Sequence, residues 1–280
     1  MAEIETLVSD IEQVLLVPKV VAQLSIKAFG DDVGGVIARQ LAQEEERKAL
    51  RMSNLGTPCV RQLQYKLDPT IIGEQLPPNV RFKFMYGHVI EALILLLARE
   101  AGHTITGEQD ELVFNGVKGH RDAIIDNVLV DVKSAASRSF DKFARHLSPA
   151  DDAFGYLVQL GLYHHVSVAR GDPVDPLRAA FLVIDKQFGH ICLDVHEIDP
   201  TVDWEGYVEE RKRLSQPGAP RAPRAYFDEA DGVSGNRKLG TACSYCAFKA
   251  ECWPSLTTYL YASGPRYLTR VVREPKVDKF

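Results

Sequence analysis

The chain has 280 residues, 45% of them hydrophobic and 25% charged, with a net charge of −5 and five cysteines. That length supports one large domain or two small ones with a substantial core. The acidic balance excludes a basic field over the whole molecule, so any nucleic-acid contact must come from a local patch. No run reaches the ~18 apolar residues that a membrane span needs. The first residues, with Glu3, Glu5 and Asp10, lack the basic-then-apolar layout of a secretory signal. A reducing cytoplasm is the expected compartment, where cysteines read as metal ligands or core residues before they read as disulfides.

Residues 4–17 have helical apolar spacing that stops at Pro18, and 33–50 predict a second amphipathic helix; neither carries assignable chemistry. The turn-rich stretch 53–58 opens a short helix holding Cys59, Arg61 and Lys66. Pro77-Pro78 breaks the chain before a strongly apolar helix from about Arg81 to Ala101, which Gly102 ends. Strands are predicted over 110–114, 117–125 and 128–134, with Asn115-Gly116 turning the first pair. Helices over 138–147 and 153–168 follow. Next come a hairpin pairing 178–185 with 190–197 about Gln187-Phe188-Gly189 and a helix over 202–215. Residues 216–224 form a proline-rich connector. The expected class is α/β, a mixed central sheet flanked by helices. Its parts are an N-terminal helical region (1–52), a main domain (53–255) and a C-terminal tail (256–280).

Asp126-Asn127 suits a two-residue hairpin turn, because both residues tolerate positive φ. In that register Asp122 faces Asp131, with Cβ atoms roughly 5 Å apart, and Lys133 points from the same face. Two bare carboxylates at that distance repel by roughly 3 kcal/mol at an effective dielectric near 20. A divalent cation relieves the repulsion, and the ammonium suits an anionic substrate, so the stretch reads as a metal-dependent phosphodiester-cleaving site. The plainer alternative is a solvated sheet face on which Asp122 pairs diagonally with Lys133.

Four other groups of residues stand out. Glu91 enters a buried-looking helix, where an acid is costly unless paired or metal-bound. His88 shares its face, and reads either as a ligand or as a surface histidine. Gln159 and Tyr163 lie one turn apart on a helix and offer neutral hydrogen-bonding groups. Cys243, Cys246 and Cys252 form a C-x2-C-x5-C run, and with the distant Cys59 they make four thiolates suited to Zn²⁺ or a [4Fe–4S] cluster. Structural zinc sites usually use two local pairs, so a 3+1 split favours iron–sulfur; Cys192, alternating within a strand, is a small core residue. Arg138, Lys142 and Arg145 recur at helical spacing and read equally as a phosphate-tracking stripe or a solvated face.

In order, Gly87-x-x-x-Glu91, Gly119-x-x-Asp122, Asp131-Val132-Lys133 and Gln159-x-x-x-Tyr163 resemble the RecB-like branch of the PD-(D/E)xK nuclease superfamily. Cys59 with the later C-x2-C-x5-C is similar to that branch's iron–sulfur subgroup, which includes the AddB nuclease domain, CRISPR-associated exonucleases and stand-alone phage proteins. The resemblance covers residues 53–255. It implies a restriction-endonuclease-like fold, with the C-terminal segment tied to the N-terminal part by the four-cysteine cluster. It further implies a metal-dependent DNA exonuclease acting on single strands or ends, in a cell's or a phage host's cytoplasm, alongside recombination or CRISPR-type protein partners. Asp122, Asp131, the Val132 carbonyl and Glu91 would hold Mg²⁺ or Mn²⁺, with His88 as an alternative ligand. Lys133 would position or deprotonate water, and Gln159 and Tyr163 would support the centre. Cys59, Cys243, Cys246 and Cys252 would carry a structural [4Fe–4S] cluster, with Zn²⁺ as the alternative. The branch often has His where Glu91 stands. A DNA-binding or assembly protein that keeps the fold without catalysis is the competing functional reading.

Overall fold

Apolar spacing along the first residues becomes a helix that is buried on one side only. In the computed structural model, which describes residues 3–42, 48–75 and 77–280, α1 (Leu7–Leu16) buries Leu7 and Ile11. α2 (Gln23–Ala42) has no buried residue. The helix predicted over 33–50 is therefore displaced towards the N-terminus, and residues 43–47 lie outside the described set. Short helices α3 (Met52–Leu55) and α4 (Val60–Leu67) precede α5 (Pro78–Glu100). α5 begins one turn before the predicted Arg81, because a proline in the first helical turn gives up no hydrogen bond.

The strands β1 (Ile105–Thr106), β2 (Glu111–Phe114), β3 (Val117–His120), β4 (Ala123–Ile125) and β5 (Val128–Ala135) come next. α6 (Ser137–Ala144) and α7 (Tyr156–Arg170) then cross over to β6 (Arg178–Asp185), β7 (Ile191–Glu197) and α8 (Trp204–Ser215). The central sheet runs β1-β4-β5-β6-β7. β5 and β6 pair in parallel, as a helical crossover requires, and the other neighbours are antiparallel. The fold is a mixed α/β sheet flanked by helices.

Alternation along the strands divides the core into two layers. Leu129, Phe181 and Val183 face Met52 and Leu55 of α3, Phe143 of α6, Leu160 and Tyr163 of α7, and Trp204 and Val208 of α8. Val128, Val130, Val132 and Leu182 face Leu7 and Ile11 of α1 and Ile94, Leu95 and Ala98 of α5. The C-terminal segment adds β8 (Glu229–Ala230), β9 (Arg237–Lys238), α9 (Thr241–Ser244), α10 (Lys249–Cys252), β10 (Thr257–Tyr261) and β11 (Gly264–Arg270). These strands form a second sheet, β10-β11-β9-β8. Residues 257–270 are thus sheet, paired back onto the cysteine-bearing segment.

The strand predicted over 117–125 is broken. β3 pairs with β2 in a separate two-stranded sheet, whereas β4 belongs to the central one. The cause sits at the break. Arg121 is buried, and its guanidinium donates to the Gly107 carbonyl, Ser167 Oγ, Asp172 and Asp110. Pulling that cation into its cage re-aims the chain and leaves Asp122 facing β5. Arg121→Met leaves the partly buried Asp172 with only Arg170, at 3.3 Å, and should cost up to roughly 3–5 kcal/mol. Urea denaturation checks this, and a loss under about 1 kcal/mol would show that the cage does not hold the break.

Candidate active site

Asp126 and Asn127 have φ of 46° and 64°, both left-handed, as a type I′ turn demands. Ala123 therefore pairs with Val130, Ile124 with Leu129 and Ile125 with Val128. Continuing one step, Asp122 comes opposite Asp131, and one of its oxygens accepts the Val132 backbone N–H at 2.7 Å. The two acids share a face. Burial raises the Asp122 pKa well above the usual carboxylate range, and the charges of Asp131 and Glu91 raise it further. Asp131, 2% exposed, is raised by burial and by Glu91, against the pull of Lys133.

Gln159 Nε2 donates to Asp131 Oδ1 at 3.0 Å. The other oxygen, Oδ2, meets the Lys133 ammonium but has no well-directed hydrogen-bond donor among the described residues. Asp122 stands beside it, so this face sets two carboxylates against one ammonium, a charge excess that a cation would balance. Burial opposes the charge on Lys133, yet Asp131 and Asp122 outweigh it and raise its pKa, so the group stays an ammonium. Tyr156 lies beneath that ammonium, its ring centroid 5.1 Å away. Tyr163 is buried, and burial together with both aspartates raises the pKa of its hydroxyl.

Local chemistry positions these groups. The Asp152 carboxylate accepts the backbone N–H groups of Gly155, Tyr156 and Leu157 at 2.8–2.9 Å, capping the start of α7. Gly155 has φ +79°, and a Cβ there would lie 1.8 Å from the Gly56 carbonyl oxygen, so α7 begins in backbone contact with the chain after α3. Gly119 plays the matching part on β3, where a Cβ would lie 2.7 Å from Tyr163 Cε1.

Glu91 approaches from α5. Its Oε1 accepts from Gln109, and its Oε2 lies 3.8 Å from His88 Nδ1. His88 is partly exposed beside Glu91. Glu91, Asp122 and Asp131 do not all bring oxygens within 4.8 Å of one another; among the described residues that closeness occurs only at His146, Asp194 and His196. The aspartate pair, facing one ammonium, offers an all-oxygen donor set that would suit a hard divalent ion.

The four singled-out cysteines, Cys59, Cys243, Cys246 and Cys252, line one cavity with Arg61, Tyr65, Arg224, Tyr226 and Trp253. Burial and the neighbouring thiols push Cys243 and Cys246 up to about 11. Among the described residues, no three of these sulfurs lie within 4.8 Å of one another. Glu74 N–H donates to the Ala247 carbonyl and Lys249 pairs with Glu74, so the loop after α4 touches this segment directly. Cys192 packs half-buried against the core, and burial pushes its thiol up to about 12.

Arg138 is exposed on α6. Lys142 and Arg145 donate to the carbonyls of Asp151 and Asp141, so two of the three basic residues already serve their own chain. Sequence reasoning missed Gln109 and Tyr156, which neighbour charged groups only after folding. No protein-family model and no curated protein matches the chain. A solved structure, the crystal structure of SSO0001, is similar over 83% of this chain and 98% of that one, at 14% identity and a TM-score of 0.40.

The raised carboxyl pKa values carry a sign. Folding is favoured while Asp122 and Asp131 are protonated, and that stability is lost as the pH rises through their folded values. At pH 7 without divalent ions, Asp122→Asn keeps the acceptor for Val132 and removes one charge. It should melt at or above the parent temperature and gain less from added Mg²⁺. Thermal melts with Mg²⁺ or EDTA decide it: an equal Mg²⁺ increment in both proteins would remove Asp122 from the ion site.

Proposed function

We propose that this chain is a divalent-metal-dependent deoxyribonuclease, working as an exonuclease on single-stranded DNA or DNA ends, on a restriction-endonuclease-like core. The observation that supports it is the Asp122–Asp131 pair, the first half-buried and the second buried, set against the single ammonium of Lys133. Asp122, Asp131, the Val132 carbonyl and, through water, Glu91 would hold Mg²⁺ or Mn²⁺. A bound ion supplies Lewis-acid polarisation of a phosphate oxygen and an acidified water.

The chain's own residues do the rest. Lys133, kept charged by two acids, stabilises negative charge developing on the scissile phosphate rather than removing a proton. Gln159 fixes the rotamer of Asp131, and Tyr163 packs against the Gly119 backbone to hold β3 beside the site. Arg138 offers an exposed cation for the phosphate backbone.

We further infer that Cys59, Cys243, Cys246 and Cys252 carry a structural [4Fe–4S] cluster tying the C-terminal segment to α4. Their shared cavity, the 3+1 spacing and the flanking Arg61 and Arg224 support this over zinc.

Asp131→Ala and Lys133→Ala should each lower Mn²⁺-supported degradation of end-labelled oligonucleotides by at least roughly 10²–10³-fold. Circular dichroism checks that both remain folded, and full activity in both folded variants would overturn the site. Anaerobically purified protein should be brown and bleach with dithionite; colourless protein containing zinc would assign the cavity to zinc instead.

A further inference from the structure

A cluster outside the proposed centre brings two imidazoles onto one carboxylate. Asp194, on β7, is 3% exposed. Its Oδ1 lies 2.8 Å from His146 Nδ1 and its Oδ2 lies 2.9 Å from His196 Nε2. The two rings stack with centroids 4.3 Å apart. Asp194 and His196 are two apart on one strand and so share a face, while His146 arrives from the turn after α6. We propose that His146, Asp194 and His196 bind a divalent transition-metal ion of the Zn²⁺ class, at a site separate from the aspartate pair.

The donor chemistry supports it. Neutral imidazole nitrogens and a carboxylate oxygen form a donor set that open zinc sites use. Ligand atoms from all three residues lie within 4.8 Å of one another. The Leu147 backbone N–H donates to Asp194 at 3.0 Å, the kind of outer hydrogen bond that orients a ligating carboxylate. His146 has φ +69°, a left-handed backbone that a histidine adopts at a cost, and that turn is what aims its ring at Asp194. Its side chain is 63% exposed, which leaves an entry path and an open position for water.

The site lies on the same sheet face as the first. Asp131 pairs with Phe181, and Phe181 pairs with Asp194, which places the two acids two strand spacings apart, roughly 10 Å. Two-metal catalytic centres hold their ions about 3.5–4 Å apart. This ion is therefore a clamp between the α6–α7 connection and the edge strand β7, not a second catalytic ion.

Chelator-stripped full-length protein, titrated anaerobically with Co²⁺, provides the test. The parent should bind one more molar equivalent than His146→Gly, which removes the ligand and suits the left-handed backbone, so the fold is not at risk. That increment should show visible ligand-field bands without thiolate charge transfer, yield to Zn²⁺, and persist in Asp131→Ala whether or not that variant degrades DNA. Equal Co²⁺ stoichiometry in the parent and His146→Gly overturns the site. An increment carrying thiolate charge transfer assigns the ion to cysteines and equally overturns it.

Discussion

The register of one hairpin decides what this molecule can do. Because both residues of the Asp126-Asn127 turn hold positive φ, β4 and β5 have one way to pair, and that way sets Asp122 against Asp131. Slipping by one residue would relieve the acids but would turn every β5 side chain to the wrong layer. The magnitudes settle the contest. The acids repel by roughly 3 kcal/mol, whereas burying Val128, Leu129, Val130 and Val132 is worth about 1.5–3 kcal/mol each. Hydrophobic burial wins, and the unfavourable charge pair is held in place by residues that take no part in the chemistry.

Neighbouring elements then convert the strained pair into a defined site. The Arg121 cage ends β3 where Asp122 must leave it. α7, capped by Asp152 and seated on Gly56, delivers Gln159 to Asp131 and Tyr163 to Gly119. Gln159 and Tyr163 sit four residues apart for this reason, one contacting the charge and the other the strand that presents it.

What could be read in advance was what is local. The I′ turn, the β4–β5 register, the β6–β7 hairpin and the apolar helix α5 follow from residues close in sequence. The break at 121–122 did not, because Arg121 finds its partners at positions 107, 110, 167 and 172. The N-terminal helix was misplaced because α2 buries none of its residues, so its apolar spacing carries no core signal. In the second sheet β8 and β9 escaped because they are two residues each, too short for alternation to register. The cysteines could be grouped by chemistry, but only folding shows Cys59 lining the same cavity as the other three. The spacing of Asp194 and His196 on β7 was visible, whereas the left-handed turn that brings in His146 was not.

The row Asp131–Phe181–Asp194 shows how the sheet can keep two acidic centres apart. Both acids are buried, and each is met by groups close at hand, Asp131 by Lys133 and Gln159 and Asp194 by two imidazoles. Phe181 stands between them on the strand row, with its ring against Phe143 and His196. The two are also shifted in opposite senses. Burial and like charge raise Asp131, whereas the hydrogen bonds from His196, Leu147 and His146 overcome burial and lower Asp194. One acid shares an ammonium with a second carboxylate; the other is organised around two imidazoles. An ion at either place would leave the other's ligands untouched, and for that reason the two proposed sites are separable by mutation.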